Sequence, residues 1–191
     1  METKTRIVLL THPKEYRRQK TGTGRIACLN LANSEIIPGL ALDDHPRVRR
    51  LVDDPSNRCF LLYPSPSALD LSSSDAESLA VGGLRQKSIV VFLIDSTWAC
   101  SHAVLRESPR LASLPRLGIE PLEPSRWRIK RQPRADCLST IEAIHELLCA
   151  LEAAGLEAYP DKRRLLDAFE SMQDYQVARA EAASARVRIR P

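Results

Sequence analysis

A chain of 191 residues with 43% hydrophobic and 27% charged side chains can bury a sizeable core without disulfides or metals, which excludes the disordered and fibrous classes. Its net charge of +4 is compatible with a polyanionic partner without requiring one. The five cysteines, at 28, 59, 100, 137 and 149, form no C-x-x-C pair and no zinc spacing, so they read as free thiols in a reducing cytoplasm with no structural metal.

The N-terminal run METKTRIVLLTHPKE lacks the length and cleavage pattern of a signal peptide. No stretch approaches the ~20 apolar residues of a membrane span. The expected location is therefore cytoplasmic, away from membranes.

Three segments read as buried parallel strands: Arg6–Thr11, Cys59–Tyr63 and Ser88–Asp95. Each is continuously apolar, as strands become when helices cover both faces of a parallel sheet. Weaker strand signals lie at Glu35–Ile37 and Gly118–Leu122, and helices are expected over Asp75–Val81 and Trp98–Arg106. Ser139 with Glu142 three residues on is a capping box; Ile141, Ile144, Leu148 and Leu151 then share one face until Gly155 stops the helix. A last helix follows Pro160 with Leu165, Leu166, Phe169 and Met172 inward, and from about Ala178 the Ala/Arg-rich sequence has no apolar stripe and is expected to fray. The pattern predicts one α/β domain with a mostly parallel sheet, residues 1–155 forming the main body and 156–191 a helical extension of it.

Polar and turn-forming residues close each strong strand, at the edge where open α/β sheets bind ligands. His12-Pro13-Lys14-Glu15 follows the first, Tyr63-Pro64-Ser65 the second, and Asp95-Ser96-Thr97-Trp98 the third. Asp95 there can hold or accept a proton, or these polar residues can simply cap the following helix with Trp98 in the core. Thr21-Gly22-Thr23-Gly24 can open a helix and present N–H groups to an anion, or form an ordinary turn. Arg126, Arg128, Lys130, Arg131 and Arg134 surround Trp127 within nine positions. That mixture suits phosphate contacts and base stacking, or a solvated basic loop. No nucleophile elbow, zinc helix, P-loop or dinucleotide fingerprint is present. His45, His102 and His145 have no partner visible in sequence.

Taken in order, HPKE, TGT, LLYPS, LIDSTW, WRIKRQP and LSTIEA resemble the DTW-domain family from Thr11 to about Ala150, with Asp95, Thr97 and Trp98 matching its Asp-x-Thr-Trp element. The resemblance implies a SPOUT-like fold with a C-terminal knot holding S-adenosylmethionine. It also implies transfer of that cofactor's 3-amino-3-carboxypropyl group to N3 of a tRNA uridine, releasing methylthioadenosine. On the matched residues, Asp95 is the candidate base, Thr97 an orienting group and Trp98 a wall for the adenosine or the base. Tyr63, Pro64, Ser65, Asp95, Leu138, Ser139 and Thr140 are the candidate cofactor contacts. Lys14, Arg17, Arg126, Arg128, Lys130 and Arg131 are the candidate RNA contacts. Ser96 replaces the family's usual Gly, and Trp127 its commoner Tyr. Many bacterial relatives carry a Cys-rich zinc segment before the HPxE element, and this chain is expected to lack it. A monomer is expected. Methyl transfer by a SPOUT-like enzyme, and RNA binding without catalysis, stand as alternatives.

Overall fold

A computed structural model of the chain describes residues 1–18, 22–71, 87–121, 123–129 and 137–188, apart from the side chains of Trp98 and 184–188. The expected helix over Asp75–Val81 lies outside these residues. The elements in chain order begin with β1 (Arg6–Thr11), α1 (Pro13–Arg18), α2 (Thr23–Asn30), β2 (Ser34–Pro38), α3 (Pro46–Asp53) and β3 (Asn57–Leu62). They continue with β4 (Leu69–Asp70), β5 (Ser88–Ile94), α4 (Trp98–Arg106), α5 (Pro109–Ala112), β6 (Arg116–Gly118), α6 (Thr140–Ala153) and α7 (Arg164–Arg188).

The six strands form one sheet in the order β2-β1-β5-β3-β6-β4, with every pairing parallel. The strong strand signals become its centre because both faces are covered. Ile7, Leu9, Phe60, Val91 and Leu93 pack under α2, α6 and α7, whereas Val8, Leu10, Leu61, Val90 and Phe92 pack under α3, α4 and α5. Burying such a side chain contributes about 1.5–3 kcal/mol, so these two layers dominate the fold's stability.

Local chemistry sets the ends of the helices. The Ser139–Glu142 capping box is formed in both directions at the start of α6. At its other end Gly155 takes φ 70°, and the Leu156 N–H reaches the Leu151 carbonyl at 2.9 Å, a Schellman stop. α7 continues to Arg188 rather than fraying near Ala178. Its distal part has no apolar stripe, but Ala, Arg and Glu are strong helix formers.

Three further expectations shift. β3 ends at Leu62, one residue short, as the chain turns toward Pro64. The weak strand expected over Gly118–Leu122 lies instead at Arg116–Gly118, because Leu117 is the residue buried against β3 and Pro121 has no N–H for a ladder. Sequence reasoning also passed over α3, whose signal was present: Pro46 sits at the first helical position and Val48 and Leu51 share the buried face.

Candidate active site

Register brings the ends of the central strands to one edge. Leu10 pairs with Ile94 and Leu62 with Leu93, so Thr11 and Asp95 come next on adjacent strands, with Tyr63 beyond β3. Asp95 follows the alternation of Val91 and Leu93 and therefore projects to the side of α2 and α6. There its Oδ1 accepts a 2.6 Å hydrogen bond from the Thr140 hydroxyl. On the same side α2 closes in so tightly that a Cβ on Gly24 would lie 2.2 Å from Asp95 Oδ2. Glycine is what permits that approach. Thr11, 5% exposed, has a buried hydroxyl with no hydrogen-bond partner among the described residues.

The turn after Asp95 is held by the segment after β1. Ser96 Oγ accepts from the His12 N–H at 3.0 Å, and the Glu15 carboxylate accepts from the Thr97 N–H at 3.1 and 3.3 Å. Thr97 occupies the N-cap position of α4, yet its side chain makes no capping bond. The Asp95 carboxylate reaches instead across the sheet edge to Thr140 of α6. The side chain of Trp98 lies outside the described residues. Glu15 was missed as a positioning residue; its place in HPKE was the only sequence signal.

The capped turn is clasped in a similar way. Buried Glu142 accepts from the Ser139 N–H (2.8 Å), the Ser139 hydroxyl (2.6 Å), the Ser125 hydroxyl (2.8 Å) and the Arg126 N–H (2.6 Å). Fully buried Gln173 on α7 completes the clasp, accepting from the Arg128 N–H at 2.6 Å and donating to the Arg126 carbonyl at 3.2 Å. The backbone at Arg126 and Arg128 is therefore fixed to α6 and α7.

Its described side chains have partners in the chain. Arg126 pairs with Glu123 and Glu170, and Arg128 with Asp174 at 2.6 Å. Trp127 is no stacking platform: its ring packs 5.2 Å from Phe169 against the core. Lys130 and Arg131 lie outside the described residues. Lys14 and Arg17 are exposed on α1, beside the Asp95 turn.

The candidate cofactor contacts divide. Asp95, Ser139 and Thr140 converge, with Leu138 preceding them, whereas Tyr63 follows Leu61 to the opposite face of the sheet beside Ile94. Its ring lies 6.5 Å from His102 of α4 and 5.3 Å from the Arg116 guanidinium. Burial pushes the Tyr63 phenol up, against the opposing pull of Arg116. Pro64 and Ser65 continue along the edge, where Ser65 Oγ accepts from the Ser67 N–H at 3.3 Å. Elsewhere His145 does have spatial partners. Its Nδ1 lies 3.1 Å from the Tyr159 hydroxyl and its Nε2 3.8 Å from Cys149 Sγ. Burial holds the imidazole's pKa below its ordinary value and raises the thiol's, so this pair favours its neutral forms.

Among the described residues, no group of three or more His, Cys, Asp or Glu side chains is arranged to hold a metal, and no helix is long and apolar enough to cross a membrane. The molecule is thus a parallel α/β protein with a carboxylate–hydroxyl pair at the C-terminal edge of its sheet. The DTW domain model matches residues 1–177, and the chain belongs to that family. It is 28% identical over 153 residues to tRNA-uridine aminocarboxypropyltransferase 2 of Drosophila melanogaster, covering 78% of this chain and 57% of the fly protein. It is 26% identical over 198 aligned positions to tRNA-uridine aminocarboxypropyltransferase A of Arabidopsis thaliana, covering 91% of this chain and 72% of the plant protein. No solved structure matches it.

Proposed function

We propose that this protein transfers the 3-amino-3-carboxypropyl group of S-adenosylmethionine to N3 of a tRNA uridine. The observation that carries the reading is the 2.6 Å bond between Asp95 and Thr140, which joins the DTW element to the capped turn at the ligand-binding edge. The names of both relatives support the same reaction. We also propose that the fold is SPOUT-like, with a C-terminal knot.

The residues at this edge fit such a cofactor. They offer a buried hydroxyl at Thr11 with no partner among the described residues, the backbone groups of Leu138–Thr140 and a carboxylate, a set suited to a nucleoside bearing an amino acid group. Ser139 and Thr140 would hold it on one side, and Pro64 and Ser65 would line the rim with the Tyr63 backbone. When bound, S-adenosylmethionine supplies a sulfonium-activated carbon whose bond to sulfur breaks as the bond to N3 forms, leaving methylthioadenosine.

The chain's own residues do the remainder. Uridine N3 carries a proton in its neutral form, and Asp95 accepts it. Thr140 fixes the carboxylate's orientation, and Gly24 admits the backbone of α2 against its other oxygen. Glu15 and Ser96 hold the Thr97 turn so that the acceptor meets the reacting carbon in line, the positioning that supplies much of the rate in such transfers. Lys14 and Arg17 face the RNA.

The test is to incubate the protein with unmodified tRNA and S-adenosylmethionine labelled on either the methyl or the aminocarboxypropyl carbons, then weigh the digested nucleosides. Aminocarboxypropyl label on uridine is expected; methyl label would replace the proposal with methyl transfer. Asp95→Asn should retain cofactor binding and lose turnover, and full activity in that variant would remove Asp95 from the mechanism.

A further inference from the structure

Most described arginines that make polar contacts are paired with carboxylates: Arg6 and Arg47 with Glu35, Arg110 with Asp53, Arg126 with Glu123 and Glu170, Arg128 with Asp174, and Arg163 with Asp167. Two differ. The Arg25 guanidinium lies 4.3 Å from the centroid of the Tyr16 ring and donates to the Tyr16 carbonyl at 2.7 Å. The Arg116 guanidinium lies over Tyr63, whose ring also meets His102 edge-on. Neither has a carboxylate partner among the described residues.

An arginine laid on an aromatic ring is held in plane while most of its N–H fork stays directed outward, the geometry that binds phosphate oxygens in pairs. Arg25 is the neighbour of Gly24, which touches the Asp95 site. Arg116 opens β6 level with Leu61 and Phe92, two strands or about 10 Å from β5, and its side chain reaches the edge at the Tyr63 ring. The two project on opposite faces of the sheet, Arg25 from α2 and Arg116 beside Tyr63. A strand crossing the edge over Asp95 would meet both. Similar stacks at Arg58–Phe60 and Arg179–Tyr175 lie at the opposite end of β3 and far along α7, away from this edge.

We propose that Arg25 and Arg116, each presented on a tyrosine ring, are the phosphodiester contacts that lay an RNA strand across the Asp95 edge. This inference rests on the reading of the protein as an RNA-modifying enzyme. It transfers the backbone-anchoring role from Arg126 and Arg128, whose charges are already matched by their own chain.

The test is the salt dependence of tRNA binding, measured by fluorescence anisotropy on the intact protein and its Arg25→Gln, Arg116→Gln and Arg58→Gln variants, with S-adenosylmethionine affinity measured by calorimetry in parallel. Losing one phosphate contact should lower the slope of log affinity against log salt by about 0.7–0.9. That loss is expected in Arg25→Gln and Arg116→Gln and not in Arg58→Gln, with cofactor affinity unchanged. Arg→Lys at either site should keep the slope and weaken binding, because charge survives and the fork does not. Wild-type slopes in both glutamine variants would overturn the inference while leaving the RNA reading intact. A selective loss of cofactor affinity would overturn it too, assigning the arginine to the cofactor's carboxylate. If the wild-type protein binds no tRNA, the RNA reading itself falls.

Discussion

Gly24→Ala tests whether Asp95 is held where the geometry places it. The added methyl would lie 2.2 Å from Asp95 Oδ2, 2.7 Å from its Cγ and 2.8 Å from Leu9 Cδ1. Leu9 is fully buried and cannot yield, so the carboxylate must move and its bond to Thr140 is lost. Overpacking costs about 1–3 kcal/mol, and a hydrogen bond to a charged group about 1.5–3 kcal/mol. Replacing a helical glycine by alanine returns up to about 1 kcal/mol. The net destabilisation is about 1.5–6 kcal/mol, which for a chain of this size lowers Tm by roughly 3–24 °C. Turnover should fall about a hundredfold, the scale of a 1 Å misplacement. Thermal melting and the nucleoside assay read both quantities. Gly118→Ala is the control, because its methyl would meet nothing closer than the Ala68 Cβ at 3.4 Å. A Gly24→Ala protein that melts with the wild type and turns over normally would show that Asp95 does not rest against α2.

Glu142→Ala should unfold α6's first turn and free the basic segment, at a cost of about 3 kcal/mol or more, because four donors lose one buried carboxylate; chemical denaturation measures it. At Glu35, burial pushes the pKa up but the hydrogen bonds and charges of Arg47 and Arg6 outweigh it, leaving a carboxyl below its ordinary 4.5. Its contribution to stability is therefore full above pH 4.5 and is lost as pH falls through the lower folded value, so Glu35→Gln should flatten the acid limb of a stability–pH profile. Burial raises the Cys59 thiol to about 11, so alkylation at pH 8 followed by peptide mass mapping should leave Cys59 unlabelled in the folded protein.

The buried strands and α6 were legible because their signals are local: unbroken apolar runs, a serine and glutamate three apart, a glycine stop. β4, two residues long, offers no periodicity at all. The position of Asp95 at the sheet edge followed from the end of its strand, but its partner did not, since Thr140 lies 45 residues away. Charge density around Trp127 was equally visible, but the pairing of Arg126 and Arg128 was not. Its neutralising carboxylates, Glu170 and Asp174, come from a helix more than forty residues further on. Glu142 was read correctly as a cap, yet a cap that also takes the Ser125 hydroxyl and the Arg126 N–H has no signature in spacing.

These long-range contacts explain why the motifs belong together. HPKE clasps the DSTW turn through His12 and Glu15, and the basic segment clasps the capped turn through Glu142. Asp95 and Thr140 join the two halves. A continuous chain of contacts therefore runs from Gln173 through the Arg126 backbone to Glu142, then by way of Ser139 and Thr140 to Asp95. The segment that looked like an appended helix beyond residue 155 is thus part of the support for the site. The family match runs to residue 177 and so takes in Gln173.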